Sequence, residues 1–263
     1  MIARMLHGGT DTGVREQKNA ERPRLKAAGR PARIYAIGDV HGYLERLVEL
    51  ERHILDDGTD CAGERWIVMI GDYVDRGPQS AQVLDHLLAP LPKGWHRICL
   101  CGNHELAMLS ALSDHRAFRH WLRLGGESTL RSYGLDAKSV HEVERDWIGA
   151  RSRLLRAIPA AHRRFLQTLP VMLETPDHIF VHAGLRPGVP TARQSEEDMV
   201  WIRDAFLESD HDFGRCVVHG HTPVKEAQIG RGRINLDSGV YIGGVLSAVR
   251  IEAGTARVLT SAG

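Results

Sequence analysis

Three times before residue 105 the chain runs through a short apolar stretch, stops at a glycine followed by Asp or Asn, and turns helical. Arg33-Ile34-Tyr35-Ala36-Ile37 stops at Gly38-Asp39, Trp66-Ile67-Val68-Met69-Ile70 at Gly71-Asp72, and Ile98-Cys99-Leu100-Cys101 at Gly102-Asn103. After the first stop, Leu44, Leu47, Val48, Leu50, Glu51 and Ile54 carry a helical apolar stripe, and after the second a helical run covers 80–88. Repeated strand–glycine–polar–helix units predict an α/β sheet with its ligand-bearing groups at the carboxyl ends of the strands.

From 105 to about 169 the pattern is helical and less regular, which reads as a helical insertion. Beyond Pro170 short strand-like runs at 171–174, 178–181, 216–218, 233–236, 245–251 and 256–259 alternate with Gly, Pro and Asp turns. They predict a second sheet packed on the first. Residues that suit metal binding are divided between the two halves, so 33–263 reads as one domain. The first 32 residues differ. Arg4, Arg15, Lys18, Arg22, Arg24, Lys26 and Arg30 face only Asp11, Glu16 and Glu21, with almost no apolar periodicity. They are expected to form a disordered basic leader, with a basic arm for an acidic partner as the other reading.

The 263 residues suffice for one large domain, and a formal net charge of +1 provides no global field for nucleic acid or acidic membrane. No apolar stretch approaches the roughly 20 residues of a membrane span, and the N-terminus lacks the apolar segment of a secretory signal. The cytoplasm is the expected location. Four cysteines, Cys61, Cys99, Cys101 and Cys216, make no disulfide framework at this length, and Cys99 and Cys101 read as reduced core thiols rather than a metal pair.

Five segments carry chemistry: Gly38-Asp39-Val40-His41-Gly42, Gly71-Asp72-Tyr73-Val74-Asp75-Arg76-Gly77, Gly102-Asn103-His104-Glu105, His182-Ala183-Gly184 and His219-Gly220-His221-Thr222. Asp39 and His41 can point at one ion, Asp72 has two oxygens with which to bridge a pair, and Asn103, His182 and His221 would complete the second shell. Mixed oxygen and nitrogen donors favour Mn²⁺, with Fe²⁺ or Zn²⁺ also open, over Ca²⁺ or Mg²⁺. Two such ions activate a shared water and hold phosphoryl oxygens for in-line attack. His104, next to Asn103, suits a general acid for the leaving oxygen, Asp75 its orienting partner, and Arg76 a phosphate clamp. Each has a plainer alternative. Asp39 and Asp72 suit helix N-caps, His182 a core histidine, His219 a strand residue, and Asp75 and Arg76 an ion pair with each other. The chain has neither a Gly-Lys-Ser/Thr phosphate loop nor a cysteine phosphatase loop, so no covalent phosphoenzyme is expected.

At these residues the sequence resembles the PPP-type serine/threonine phosphatases within the calcineurin-like metallophosphoesterases. The likeness runs from about residue 33 to the C-terminus and rests on Gly-Asp-Val-His-Gly, Gly-Asp-Tyr-Val-Asp-Arg-Gly and Gly-Asn-His-Glu. It implies a four-layer αββα sandwich of two mixed sheets flanked by helices. It also implies Asp39, His41 and Asp72 on one metal, and Asp72, Asn103, His182 and His221 on the other. Arg203, in Val200-Trp201-Ile202-Arg203, matches a second phosphate-binding arginine of bacterial relatives. Cys101 departs from the Arg many eukaryotic relatives carry, and the helical insertion is not the eukaryotic arrangement.

The function expected from the sequence is metal-dependent phosphomonoester hydrolysis, a protein serine/threonine phosphatase acting on phosphoproteins or phosphopeptides. The alternatives are a dinucleoside polyphosphate hydrolase on the same metal centre and a catalytically silent phosphoprotein-binding module. An intact Asp75 weighs for the phosphatase, because the nucleotide enzymes commonly lack an acid there. No nucleic-acid or membrane partner is expected.

Overall fold

The computed structural model describes residues 21–135 and 146–261. Eleven strands among them form two sheets. The first has five strands in the order β11-β10-β2-β3-β4, with β2 Arg33–Ile37, β3 Arg65–Met69, β4 Trp95–Cys99, β10 Ser247–Glu252 and β11 Thr255–Thr260. The second has six in the order β1-β5-β6-β7-β9-β8, with β1 Arg24–Lys26, β5 Met172–Glu174, β6 His178–Val181, β7 Cys216–His219, β8 Gln228–Gly230 and β9 Arg233–Asn235. Both are mixed: β2, β3 and β4 run parallel while β10 is antiparallel to β2, and β6, β7 and β9 run parallel while β5 is antiparallel to β6.

Period two decides what each strand faces. Ile34, Ala36, Trp66, Val68, Val249 and Ile251 from the first sheet cluster with Leu173, Phe180, Val218 and Ile234 from the second, forming the core between the sheets. The alternate residues Tyr35, Ile37, Ile67 and Met69 pack instead with Leu47, Leu50 and Ile54 of α1 (Leu44–Asp57) and Val83, Leu84 and Leu87 of α2 (Ser80–Leu88). On the second sheet Ile179, Val181 and Val217 join Met199 and Val200 of α8 (Glu196–Trp201) and Phe206 of α9 (Asp204–Leu207). Strands buried on both faces have to be apolar throughout, which is why they read as unbroken runs. The expected layers, two sheets flanked by helices, are the ones observed.

Three details differ from the sequence reading. The strands at 245–251 and 256–259 were expected in the second sheet, but β10 and β11 close the first, because β10 pairs along β2. The expected leader, 1–32, lies outside the described residues up to 20. From Glu21 onward it is built into the fold: β1 pairs in parallel with β5, and the guanidinium of Arg22 donates to the carbonyls of Leu166 and Leu169. Arg22 and Arg24 satisfy backbone carbonyls and Arg30 pairs with the Asp177 carboxylate, roles invisible to apolar periodicity. Val48 sits on the predicted stripe of α1 but is exposed.

Glu51, charged yet on that stripe, is buried because Arg97 of β4 meets both its oxygens at 2.8 Å and His86 approaches at 3.2 Å. Burial pushes its carboxyl up, but His86 and Arg97 outweigh this and hold it below its ordinary 4.5. The unfolded chain therefore takes up the proton first. The stabilisation is complete above about pH 4.5 and is lost as pH falls through the lower folded value. Arg97→Ala, which strands the carboxylate, is expected to cost about 3–5 kcal/mol at neutral pH and less in acid, read from urea denaturation. A cost independent of pH would assign the effect to packing alone.

The stretch read as a helical insertion carries α3 (Asn103–Ala111), α4 (His115–Trp121), a π-turn at Leu122–Gly126, α5 (Glu127–Ser132), α6 (Trp147–Ala157) and α7 (Ala160–Thr168), with 136–145 outside the described residues. No described helix is long and apolar enough to cross a membrane.

Candidate metal centre

Each glycine-flanked segment follows the carboxyl end of a strand, and the loops after β2 and β3 are laced together. Asp72 O accepts from Val40 N and His41 N at 3.0 and 2.8 Å, and His41 O accepts from Gly77 N at 2.9 Å. His41, Asp72, Asp75 and Arg76 in these loops, and His221 after β7, have left-handed backbones, with φ between 44° and 73°. Ala253 is the one further non-glycine residue of that kind among the described residues. Such conformations cost about 1–3 kcal/mol each and gather where side chains must be aimed. The glycines permit close approach: a Cβ on Gly102 would overlap Asp72 Oδ1, and one on Gly220 would overlap Asp39 Oδ1.

Asp72 is the hub. Its Oδ2 lies 3.6 Å from His41 Nε2 and 3.8 Å from His104 Nε2, while its Oδ1 lies 3.4 Å from His182 Nε2. Two groups of possible metal donors result, His41–Asp72–His104 and Asp72–His182–His221, each with its donor atoms within 4.8 Å of one another. Asn103 Oδ1 is 2.9 Å from His182 Nε2. Asp39 falls outside both tight groups; its carboxylate accepts from His221 N at 3.1 Å. All six predicted ligands thus meet at one end of the sandwich. Neither Asp39 nor Asp72 caps a helix: α1 and α2 begin after Tyr43 and Gln79.

The electrostatics call for cations. His221 Nε2 is buried with no hydrogen-bond partner, and burial, then His182, push that imidazole down to about 2. Burial and the neighbouring acid Asp237 push the Asp39 carboxyl well up. The mutual repulsion of the buried Asp39 and Asp237 carboxyls and the unpartnered Nε2 of His221 are unfavourable unless a divalent ion relieves them. His41 Nδ1 and His182 Nδ1 lie 2.9 Å from the carbonyls of Val74 and Ile70, contacts that fix the tautomer and leave Nε2 as donor to a metal. The residues present fit a divalent pair.

His104 Nδ1 lies 2.7 Å from Asp75 Oδ2. Burial would lower this imidazole, but Asp72 and then Asp75 outweigh it, and the net direction is up. Asp75 is fully buried and also accepts from Trp121 Nε1 at 2.9 Å and Thr129 Oγ1 at 2.7 Å. Arg76 does not pair with Asp75. Its Nη2 lies 3.2 Å from His104 Nε2, its guanidinium stacks 3.9 Å from the Tyr241 ring, and its backbone N donates to Gly125 O in the π-turn. Arg203 is exposed beyond α8, and its charge is felt at His221. His219, the last residue of β7, is buried against Phe206 and joins neither donor group. Cys101 is buried and Cys99 half-buried in the helix-side core, and burial pushes both thiols up. Sequence reasoning missed Trp121, Thr129, Asp237 and Tyr241. For Tyr241 the glycines on either side, Gly239 and Gly243, both left-handed, were the available signal.

A two-sheet sandwich with buried Asp, His and Asn side chains converging at its strand ends defines a metal-dependent phosphoester hydrolase. The calcineurin-like phosphoesterase family matches residues 32–243, and the chain belongs to it. Among curated relatives, bis(5'-nucleosyl)-tetraphosphatase PrpE [asymmetrical] of Anoxybacillus flavithermus is 24% identical over 81% of this chain and 88% of its own. Serine/threonine-protein phosphatase 1 of Salmonella typhimurium is 26% identical over 83% and 92%. A crystal structure of a putative diadenosine tetraphosphatase superposes with a TM-score of 0.64 at 22% identity, covering 90% of this chain and 97% of that one.

Proposed function

We propose that this protein hydrolyses a nucleoside polyphosphate with two divalent cations, Mn²⁺ ahead of Fe²⁺ or Zn²⁺, held by Asp39, His41, Asp72, Asn103, His182 and His221. The observation that carries the metal reading is Asp72, which turns one oxygen to His41 and the other to His182. Bound cations supply an activated water and neutralise phosphoryl charge. The chain's own groups do the rest. Asp75 holds the Nδ1 proton of His104, so Nε2 faces the substrate and gives its proton to the leaving oxygen. Arg76, steadied by Tyr241, and Arg203 take phosphoryl oxygens.

Two considerations favour a nucleotide. Several curated relatives that match over most of the chain are named as bis(5'-nucleosyl)-tetraphosphatases. Asp75, which weighed for a phosphoprotein in the sequence, also ties α4 and α5 to the site through Trp121 and Thr129, so its presence does not single out a substrate. The second reading, a protein serine/threonine phosphatase, is favoured by the buried His104–Asp75 pair, because an alkoxide leaving group depends on an acid more than a phosphate does.

Metal-stripped protein, with and without added Mn²⁺, should be given diadenosine tetraphosphate and a phosphothreonine peptide in parallel. Mn²⁺-dependent cleavage of the nucleotide is the expected result. Phosphate release from the peptide alone would establish the second reading. Silence on both, with metal bound, would leave a binding module.

A further inference from the structure

Trp201 ends α8 on the rim of the metal centre and keeps 37% of its surface exposed, a large share for an indole with a core beneath it. It meets His221 edge-on, ring centres 6.0 Å apart at 88°. From the other side His120 of α4, itself exposed, stands 6.5 Å away at 48°. Two exposed aromatic rings from separate elements thus sit together, one of them touching a candidate ligand. Cations flank them. Arg203 follows Trp201 by two residues, and Arg116 and Arg119 share the exposed side of α4 with His120, while Phe118 and Trp121 fill the core behind.

We propose that Trp201, with His120 beside it, is a stacking ledge for a nucleobase of the substrate. The proposal deepens the nucleotide reading above and rests on it. The ledge stands one ring beyond His221. A ring bonded directly to the reacting phosphoryl group, as in phosphotyrosine, would have to stay nearer the metals, whereas a nucleotide sets a ribose between phosphate and base. An indole face accepts any base, with a stacking contribution that corresponds to roughly tenfold in affinity.

The test is calorimetric binding to the Mn²⁺-supplemented full chain, which needs no turnover. Adenosine 5'-monophosphate, ribose 5-phosphate and phenyl phosphate are compared in wild type, Trp201→Ala and Trp201→Phe. Adenosine 5'-monophosphate is expected to bind about tenfold tighter than ribose 5-phosphate. That ratio should fall to within about twofold in Trp201→Ala and be kept in Trp201→Phe. Because both ligands share the phosphate, any disturbance of His221 by the substitution cancels in the ratio. Equal wild-type affinities, no binding of either ligand, or a preference that survives Trp201→Ala would overturn the ledge. So would a gain for phenyl phosphate that depends on Trp201 as strongly as the nucleotide's does. Cleavage of diadenosine tetraphosphate without any base preference would sink the ledge alone. A Trp201-dependent preference without cleavage would sink only the substrate reading.

Discussion

His104→Asn is expected to lower turnover about 10²–10⁴-fold on substrates with poor leaving groups and far less on p-nitrophenyl phosphate. An alkoxide leaves only as it takes up a proton, and we assign that proton to His104, whose Nδ1 lies 2.7 Å from Asp75 Oδ2. Asn keeps a donor toward Asp75 and removes the titrating group. A nitrophenolate leaves without help, so the loss should shrink as the leaving group improves. The slope of log kcat against leaving-group pKa is therefore the readout, and it should steepen in the variant.

His104 also has a rival role, because its Nε2 belongs to the donor group formed with His41 and Asp72. Metal content separates the two. An acid leaves two cations per chain when it is replaced, whereas a ligand takes one away. Equal losses on every substrate together with a missing cation would remove His104 from the acid role. Retained metal with a steepened slope would leave no room for the ligand role.

The ends of β2 and β6, and of helix α2, were readable to the residue: β2 runs apolar from Ile34 until Gly38 breaks it, the apolar run of β6 stops at His182, and α2 ends just before Ala89-Pro90. The candidate ligands were readable for a related reason: five of the six stand next to a glycine, and His182 stands two residues from one. What could not be read was who meets whom across the fold. The stretch from 105 to 169 read only as helical, and nothing local says that Trp121 and Thr129 are both buried against Asp75. Likewise β10 and β11 read correctly as strands, while the choice of sheet depends on β10 finding the free edge of β2, more than 200 residues earlier in the chain. Polar contacts at long sequence separation, such as Arg22 to Leu166, carry no periodic signal at all.

Glu105 shows the same blindness most sharply, and replacing it should damage the fold as much as any single change at the site. It was read only as the last letter of Gly-Asn-His-Glu, yet it is fully buried and receives four backbone N–H groups. Oε2 accepts from Asp72 N at 2.8 Å and Gly102 N at 2.9 Å, and Oε1 from Tyr73 N at 2.8 Å and Val74 N at 3.3 Å. This one carboxylate pins the loop after β3 to the start of α3, and so sets the distance from Asp72 to Asn103 and His104. Burial and the nearby Asp72 push it up to about 7, against the pull of the backbone donors. Glu105→Ala would leave those donors without partners at roughly 1–3 kcal/mol apiece, comparable to the whole 5–15 kcal/mol stability of a typical domain. That variant is expected not to fold. Glu105→Gln is the informative one, since its amide must turn an NH₂ toward two N–H groups. We expect it to fold with a loss of about 3 kcal/mol in urea denaturation and a metal affinity lowered by about tenfold or more, although Glu105 touches no predicted metal-binding side chain. A stability within about 1 kcal/mol of wild type, with unchanged metal affinity, would show that the loop after β3 holds its shape by its own backbone hydrogen bonds.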